Sequence, residues 1–283
     1  MKHPPGKDAA WFSETCDQCG SAFSLKIRAK LHDEKTPYQH LQVYQTETFG
    51  RLMVLDGCIM LTGRDNFIYH EMMTHPALFG HTGARRVAII GGGDCGCLRE
   101  CLKHDNVEKV TQIDIDEAVT RASEKFFPEL CESNSDPRAE LLFEDGIDWI
   151  KNAAPGSLDL VIIDSTDPAG PAVGLFSGAF YSDCYRALGA DGLLVAQSES
   201  PLYHKELITG MSAAMRSAGF AEVHQLYFPQ CVYPSGWWSA TVAGKRAGKF
   251  DKNGHRALKK SFKTVYYNNL IHKAALATPE FMK

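Results

Sequence analysis

The sequence has no apolar run near the about 18 residues needed to cross a bilayer as a helix, so no transmembrane helix is expected. It has no low-complexity tract and no internal repeat, which excludes repeat arrays. A formal net charge of −4, with a pI near 6.3, removes any general attraction to nucleic acid or an anionic membrane. Met1 to Ala10 is polar and Pro-rich and lacks the apolar core of a signal peptide, so a cytoplasmic location is the expectation. Nine cysteines, an odd number, fit reduced thiols better than a disulfide framework. Cys16 and Cys19 form a C-x-x-C, but no second such pair and no H-x-x-x-H completes a zinc set. The pair reads as two ordinary thiols, and no metal is expected.

What is present is an ordinary globular balance, 44% apolar and 23% charged over 283 residues, enough for a small domain beside a medium one. The chain divides near residue 75. Residues 1–75 are strand-rich: Ser24–Leu31, Leu41–Thr46, Arg51–Leu55 and Cys58–Leu61. The last two flank Asp56-Gly57, a two-residue hairpin turn whose positions both need positive φ. Phe67–His75 reads as a short closing helix. Residues 76–283 alternate strand and helix. Strands are expected at Val87–Ile90, Val110–Ile113, Glu140–Phe143, Leu158–Ile163 and Leu193–Ala196. Helices are expected at Leu98–His104, Ala118–Phe127, Ile147–Ala153, Ala179–Leu188 and Lys205–Ser217. Apolar strands alternating with helices predict a parallel sheet covered on both faces. Two further strands, Glu222–Tyr227 and Trp238–Val242, follow without an intervening helix. The fold class is therefore α/β: a Rossmann-like, methyltransferase-type, mostly parallel sheet with a small N-terminal all-β domain.

Val87–Ile90 runs into Gly91-Gly92-Gly93-Asp94-Cys95-Gly96, a glycine-rich turn that lets a ligand approach backbone N–H groups. Asp114 stands 21 residues after Gly93, near the spacing at which a carboxylate meets ribose hydroxyls. Asp145-Gly146 follows the third strand, and Asp164 and Asp167 the fourth. Each Asp alone reads equally well as a helix cap or turn former. Together they place carboxylates along the edge where such sheets bind ligands. Asp94 opposes a diphosphate or an amino-acid carboxylate in this loop and favours a ligand bearing a cation there.

Gly91-Gly92-Gly93-Asp94, Asp164-Ser165-Thr166-Asp167-Pro168, Leu55-Asp56-Gly57, Phe67-Ile68-Tyr69-His70-Glu71-Met72 and Tyr233-Pro234-Ser235-Gly236 resemble the signature segments of the polyamine aminopropyltransferases, the spermidine synthases. Trp11-Phe12 and Tyr38-Gln39 match in kind. The resemblance implies transfer of an aminopropyl group from decarboxylated S-adenosylmethionine, a co-substrate, to a diamine, with no cofactor or metal, in a homodimer or homotetramer. It implies that Gln39, Gly91, Gly93, Asp94, Asp114, Asp145, Gly146 and Asp164 bind the donor. It further implies that Trp11, Tyr69, Asp94, Asp164, Asp167, Gln197 and Tyr233 bind the acceptor, with Asp164 and Tyr69 catalytic. This sequence departs from the family pattern at Cys95 (usually Gly), Asp114 (usually Glu), Met60 (usually Gln) and Gly63 (usually Glu). Met60 and Gly63 bear on substrate choice. His70 is expected to be structural, since neighbours on a helix diverge, and Trp237-Trp238 to be core or gate.

Three rivals share parts of this pattern. A putrescine N-methyltransferase and a nicotinamide-dependent dehydrogenase are both opposed by Asp94. A catalytically inactive nucleoside-binding subunit is opposed by the presence of Asp164 and Tyr69. Putrescine is the expected acceptor, with cadaverine, agmatine and spermidine as alternatives.

Overall fold

The computed structural model describes residues 10–166 and 170–283. Five strands, β1 Trp11–Cys16, β2 Ser21–Lys35, β3 His40–Thr46, β4 Arg51–Leu55 and β5 Cys58–Thr62, form one antiparallel sheet in sequential order. The β4–β5 turn has Asp56 at φ 48° and Gly57 at φ 88°, as the dipeptide demands. One strand, β1, has no counterpart in the sequence reading. It is short and carries Ser and Thr at alternate positions. It forms because β2 begins at Ser21 rather than Ser24, and its stretch Ser21–Lys26 offers β1 a pairing edge.

Helix α1, Asn66–Gly80, follows. The expected helix ends at His75 because Pro76 lacks an N–H and clashes with the preceding turn. The structure carries α1 through Pro76, with nearly all its residues buried, so packing outweighs one lost bond. The expected domain boundary at 75/76 falls inside this helix.

The second sheet has seven strands in the order β11-β12-β10-β9-β6-β7-β8. They are β6 Arg86–Gly91, β7 Lys109–Asp114, β8 Ala139–Phe143, β9 Leu158–Asp164, β10 Leu188–Gln197, β11 Glu222–Pro229 and β12 Trp237–Gly244. Only β12 runs antiparallel, closing the sheet with the terminal hairpin. Helices α2 Gly96–Leu102, α3 Glu117–Phe126, α4 Gly146–Asn152, α5 Gly178–Ala187 and α6 Lys205–Ser217 connect the strands, and α7 Asn269–Ala275 lies near the C-terminus. Along β6, Val87 and Ile89 face one core while Ala88 and Ile90 face the other, the period-2 alternation of a sheet buried on both sides. A third core joins Leu41, Val43, Met53 and Leu61 of the small sheet to Val119 and Phe126 of α3. That contact roofs the C-terminal edge of the parallel strands. Glu71 of α1 accepts hydrogen bonds from the backbone N–H groups of Val265, Tyr266 and Tyr267, at 2.7, 2.9 and 2.7 Å, and so fastens the C-terminal segment to the core.

Candidate active site

The strand order reverses between β6 and β9, the switch point where such sheets bind ligands. Here Gly91 has φ +84°, and a Cβ on it would lie 2.2 Å from the Asp164 carbonyl oxygen. Gly92 N–H donates to that carbonyl at 2.7 Å. Glycine thus lets the loop press onto β9 and brings two carboxylates together. Asp164 Oδ1 accepts from the Tyr69 hydroxyl at 2.7 Å. Asp164 Oδ2 is buried and receives no N–H or O–H hydrogen bond among the described residues, while the Cys97 thiol adjoins the carboxyl as a weak donor. Asp94 accepts from Gly96 N–H at 2.7 Å and pairs with His70 Nε2 at 2.9 Å.

His70 does diverge from Tyr69, and it turns onto this second carboxylate. Its ring is 1% exposed, and a Cβ at Gly96 would fall 2.2 Å from it. The glycine following Cys95 therefore makes room for the imidazole. The sequence signal was there, a His beside the Tyr of one helix and a glycine two residues after Asp94, but only tertiary packing joins them.

A cavity of about 370 Å³, within the range of small-molecule sites, opens between the small sheet and this edge. Gln39, Gly91, Gly93, Asp94, Asp114, Asp145, Gly146 and Asp164 all line it, with Met53, Leu55, Ile113 and Val119 as apolar walls. A Cβ at Gly93 would lie 2.7 Å from Asp114 Oδ2, so Gly93 keeps that carboxylate accessible. Asp145 caps α4, accepting from Ile147 N–H at 2.7 Å, and faces the cavity as well.

A narrower extension of about 30 Å³ continues past Tyr69 and Tyr233, where Gln197 joins the lining. The Tyr233 hydroxyl donates to the Met60 carbonyl at 2.5 Å, and its ring meets those of Tyr69 and Trp238 at 5.8 and 4.7 Å. Gln197, 1% exposed, donates toward the Thr166 carbonyl at 3.4 Å and Glu199 at 3.3 Å. Trp238 lines this extension and is buried.

Two expectations change here. Trp11 lines neither space and stands 49% exposed, because the alternation of β1 turns Phe12 and Glu14 inward instead. Glu14, which sequence reasoning passed over, lines the extension and accepts from Ile59 N–H at 2.7 Å. Asp167 lies outside the described residues. Gly63 lines neither space; it sits against the backbone of Gly50 and Arg51. Cys95, in the left-handed conformation at φ 67°, is buried beneath the loop.

Burial raises the Asp164 carboxyl, and the neighbouring Asp94 charge raises it further. Burial would likewise lift Asp94, but the His70 imidazole overrides it and holds Asp94 low. Burial would lower His70, and Asp94 reverses that, raising it. Tyr69 is pushed well above its ordinary value by burial and then by Asp164, so the phenol keeps its proton and donates it to Oδ1. Asp114 is raised to about 6 by burial, with the Asp116 charge adding to it. Burial and Asp164 also push the Cys97 thiol up, so it adds no charge. Among the described residues, no group of three or more His, Cys, Asp or Glu side chains is placed to hold a metal ion, and no helix is long and apolar enough to cross a membrane.

The arrangement is a carboxylate of raised basicity beside an ion-paired one, between a nucleoside-sized cavity and a narrow channel. Similarity searches agree with it. The family model described as the spermine/spermidine synthase domain matches residues 66–253, and that of the spermidine synthase tetramerisation domain matches residues 10–63. The chain is 61% identical over 272 residues to the polyamine aminopropyltransferase of Methylococcus capsulatus, covering 96% of this chain and 95% of that protein. It is 60% identical over 273 residues to that of Nitrosococcus oceani, with coverage of 96% and 95%. Among solved structures, a spermidine synthase in complex with the transition-state analogue AdoDATO superposes with a TM-score of 0.92 at 33% identity, covering 99% of this chain and 96% of that one. The spermidine synthase of Thermotoga maritima gives 0.90 at 32% identity, covering 99% and 95%. The chain belongs to the spermine/spermidine synthase family and is a polyamine aminopropyltransferase.

Proposed function

We propose that the enzyme transfers the aminopropyl group of decarboxylated S-adenosylmethionine to putrescine, giving spermidine and 5′-methylthioadenosine. The observation that carries this reading is Asp164: one carboxylate oxygen is held by Tyr69, and the other is buried with no N–H or O–H donor among the described residues, the weak Cys97 thiol being the carboxyl's only further donor. An ammonium arriving in the channel supplies a strong one.

The acceptor nitrogen has an ordinary pKa of about 10, so roughly a thousandth is free base near neutrality, a cost of about 4 kcal/mol. Asp164, raised toward the working pH, takes the proton. The nitrogen then displaces sulfur: the new N–C bond forms as the C–S bond breaks, and the sulfonium leaves as a neutral thioether. Tyr69 keeps its proton, so its part is to fix the carboxylate rather than relay the charge. In this reading Asp114 and Gln39 take the ribose and Asp145 the adenine. Gly91, Gly93 and Gly146 give the nucleoside its close approach. Asp94 and Asp164 meet the aminopropyl ammonium, and Tyr69, Gln197, Tyr233 and Glu14 receive the diamine. A narrow channel with a carboxylate on its wall supports a short dication. The matched tetramerisation domain supports a homotetramer or homodimer.

Titration calorimetry with decarboxylated and intact S-adenosylmethionine tests the donor. The decarboxylated form binds at least tenfold tighter, because the extra carboxylate of the other meets Asp94. Equal affinities would overturn the role given to Asp94. Asp94→Asn narrows the difference.

A further inference from the structure

We propose that Asp116 is a positioning residue for the donor nucleoside: it fixes the Gln39 side chain so that the carbonyl oxygen, not the amide nitrogen, faces the cavity. The inference rests on the reading that Gln39 contacts the donor.

Asp116 is 2% exposed and lies two residues past Asp114, at the head of α3. Its Oδ2 accepts from Gln39 Nε2 and from the Thr36 hydroxyl, each at 2.8 Å. Its Oδ1 accepts from Ala118 N–H at 3.2 Å, and its own N–H donates to Asp114 Oδ1 at 2.8 Å. One residue thus ties together the β2–β3 turn of the small sheet, the first turn of α3 and the carboxylate at the end of β7. A helix cap alone requires only the Ala118 contact. The two bonds across to the other sheet go beyond it.

The chemistry follows from what a carboxylate is. It accepts hydrogen bonds and donates none, so it can face only the NH₂ end of a glutamine amide. With Nε2 turned onto Asp116, the amide's other end, the carbonyl oxygen, is left to offer the cavity an acceptor. Asp114 beside it is an acceptor too. The two together demand paired hydroxyl donors, which a ribose diol provides and a deoxyribose or an O-methylated ribose does not. Thr36 Oγ1 also receives Gln39 N–H at 3.0 Å, so main chain and side chain of Gln39 are held from the same anchor.

Asp116→Asn tests this. Whichever way the new amide turns, one group of donors meets an N–H, and the arrangement that keeps the helix cap forces Gln39 to rotate. The expected result is a roughly tenfold rise in the donor KM, with kcat changed less than about threefold. 5′-Methylthioadenosine binding weakens by a similar factor. Gln39→Glu alone weakens binding as well, because two carboxylates then meet. The pair Asp116→Asn with Gln39→Glu restores it, since the amide introduced at position 116 donates to one oxygen of the new carboxylate and the other still faces the ribose. A purely structural Asp116 would give no such rescue. If Asp116→Asn alone fails to fold, comparing Gln39→Glu with the double variant still reads the coupling. Unchanged donor KM in Asp116→Asn, or a double variant no better than Gln39→Glu, overturns the proposal. Failure of the wild-type enzyme to bind 5′-methylthioadenosine would instead overturn the reading of the nucleoside site itself.

Discussion

The carboxylates of the proposed donor end, Asp94, Asp114, Asp145 and Asp164, lie at or just past the ends of strands of one mostly parallel sheet, and backbone geometry places them: a glycine turn, a strand register, a helix cap. The proposed acceptor end is assembled otherwise. Glu14 comes from β1, Met60 from β5, Gln197 from β10 and Tyr233 from the turn between β11 and β12, four places far apart in sequence and held by side-chain contacts. On this reading the acceptor end can be altered one wall at a time, with the donor end left in place.

If the two ends are separable in this way, substitutions will sort by the kinetic constant they move. The largest effect belongs to the residue between them. Asp164→Asn keeps the shape and the Tyr69 contact but removes the proton acceptor, and kcat falls by about 10² to 10⁴. Near-full turnover in single-turnover kinetics would show that Asp164 is not the base. Next comes Glu14→Gln, which exchanges a charged contact for a neutral one at the acceptor end. The diamine KM rises about tenfold to a hundredfold while the donor KM stays within about twofold. A donor KM that moved in parallel would break the separation.

Acid pH attacks the donor end. Asp114 sits raised to about 6, so it gains a proton as the pH falls through that value. If Asp114 holds the ribose hydroxyls, nucleoside binding prefers the ionised carboxylate, and affinity drops as the pH falls below about 6, approaching tenfold per unit. It is level above that. Calorimetry with 5′-methylthioadenosine from about pH 5 to 8 reads this directly, and a flat profile would remove Asp114 from the ribose contact. The smallest expected change is Met60→Gln. A flexible thioether gives way to a polar amide on the channel wall, and the putrescine-to-cadaverine ratio of kcat/KM rises by about two- to fivefold. No shift would clear this position of a part in substrate choice.

The same contrast explains what the sequence made legible. The lining of the larger cavity could be read because its signals are local: glycines before a helix, carboxylates after apolar strands, a spacing of 21 residues between Gly93 and Asp114. The Asp56-Gly57 turn was readable for the same reason, one dipeptide with one demand on φ. The acceptor end was not, because which side of a strand faces the site depends on pairing. In β1, a shift of one position exchanges Trp11 for Phe12 and Glu14, and only the register with β2 decides it. The larger, more conspicuous aromatic is the natural choice for a wall, yet it points to solvent. The pairing of His70 with Asp94 was hidden likewise, since it needs α1 laid against the start of α2. The length of α1 escaped because Pro76 reads locally as a stop, while burial of the helix on nearly all sides keeps it intact.

The most direct test of the central claim is a rate comparison with decarboxylated S-adenosylmethionine as donor and putrescine, cadaverine, agmatine and spermidine as acceptors at matched concentrations, products identified by mass. A chain one methylene too long must buckle or push the attacking nitrogen out of line, and misplacement by about 1 Å can cost about 10²-fold. The account predicts spermidine as the main product, with putrescine ahead by at least about tenfold in kcat/KM. A tenfold lead for cadaverine, agmatine or spermidine would contradict it.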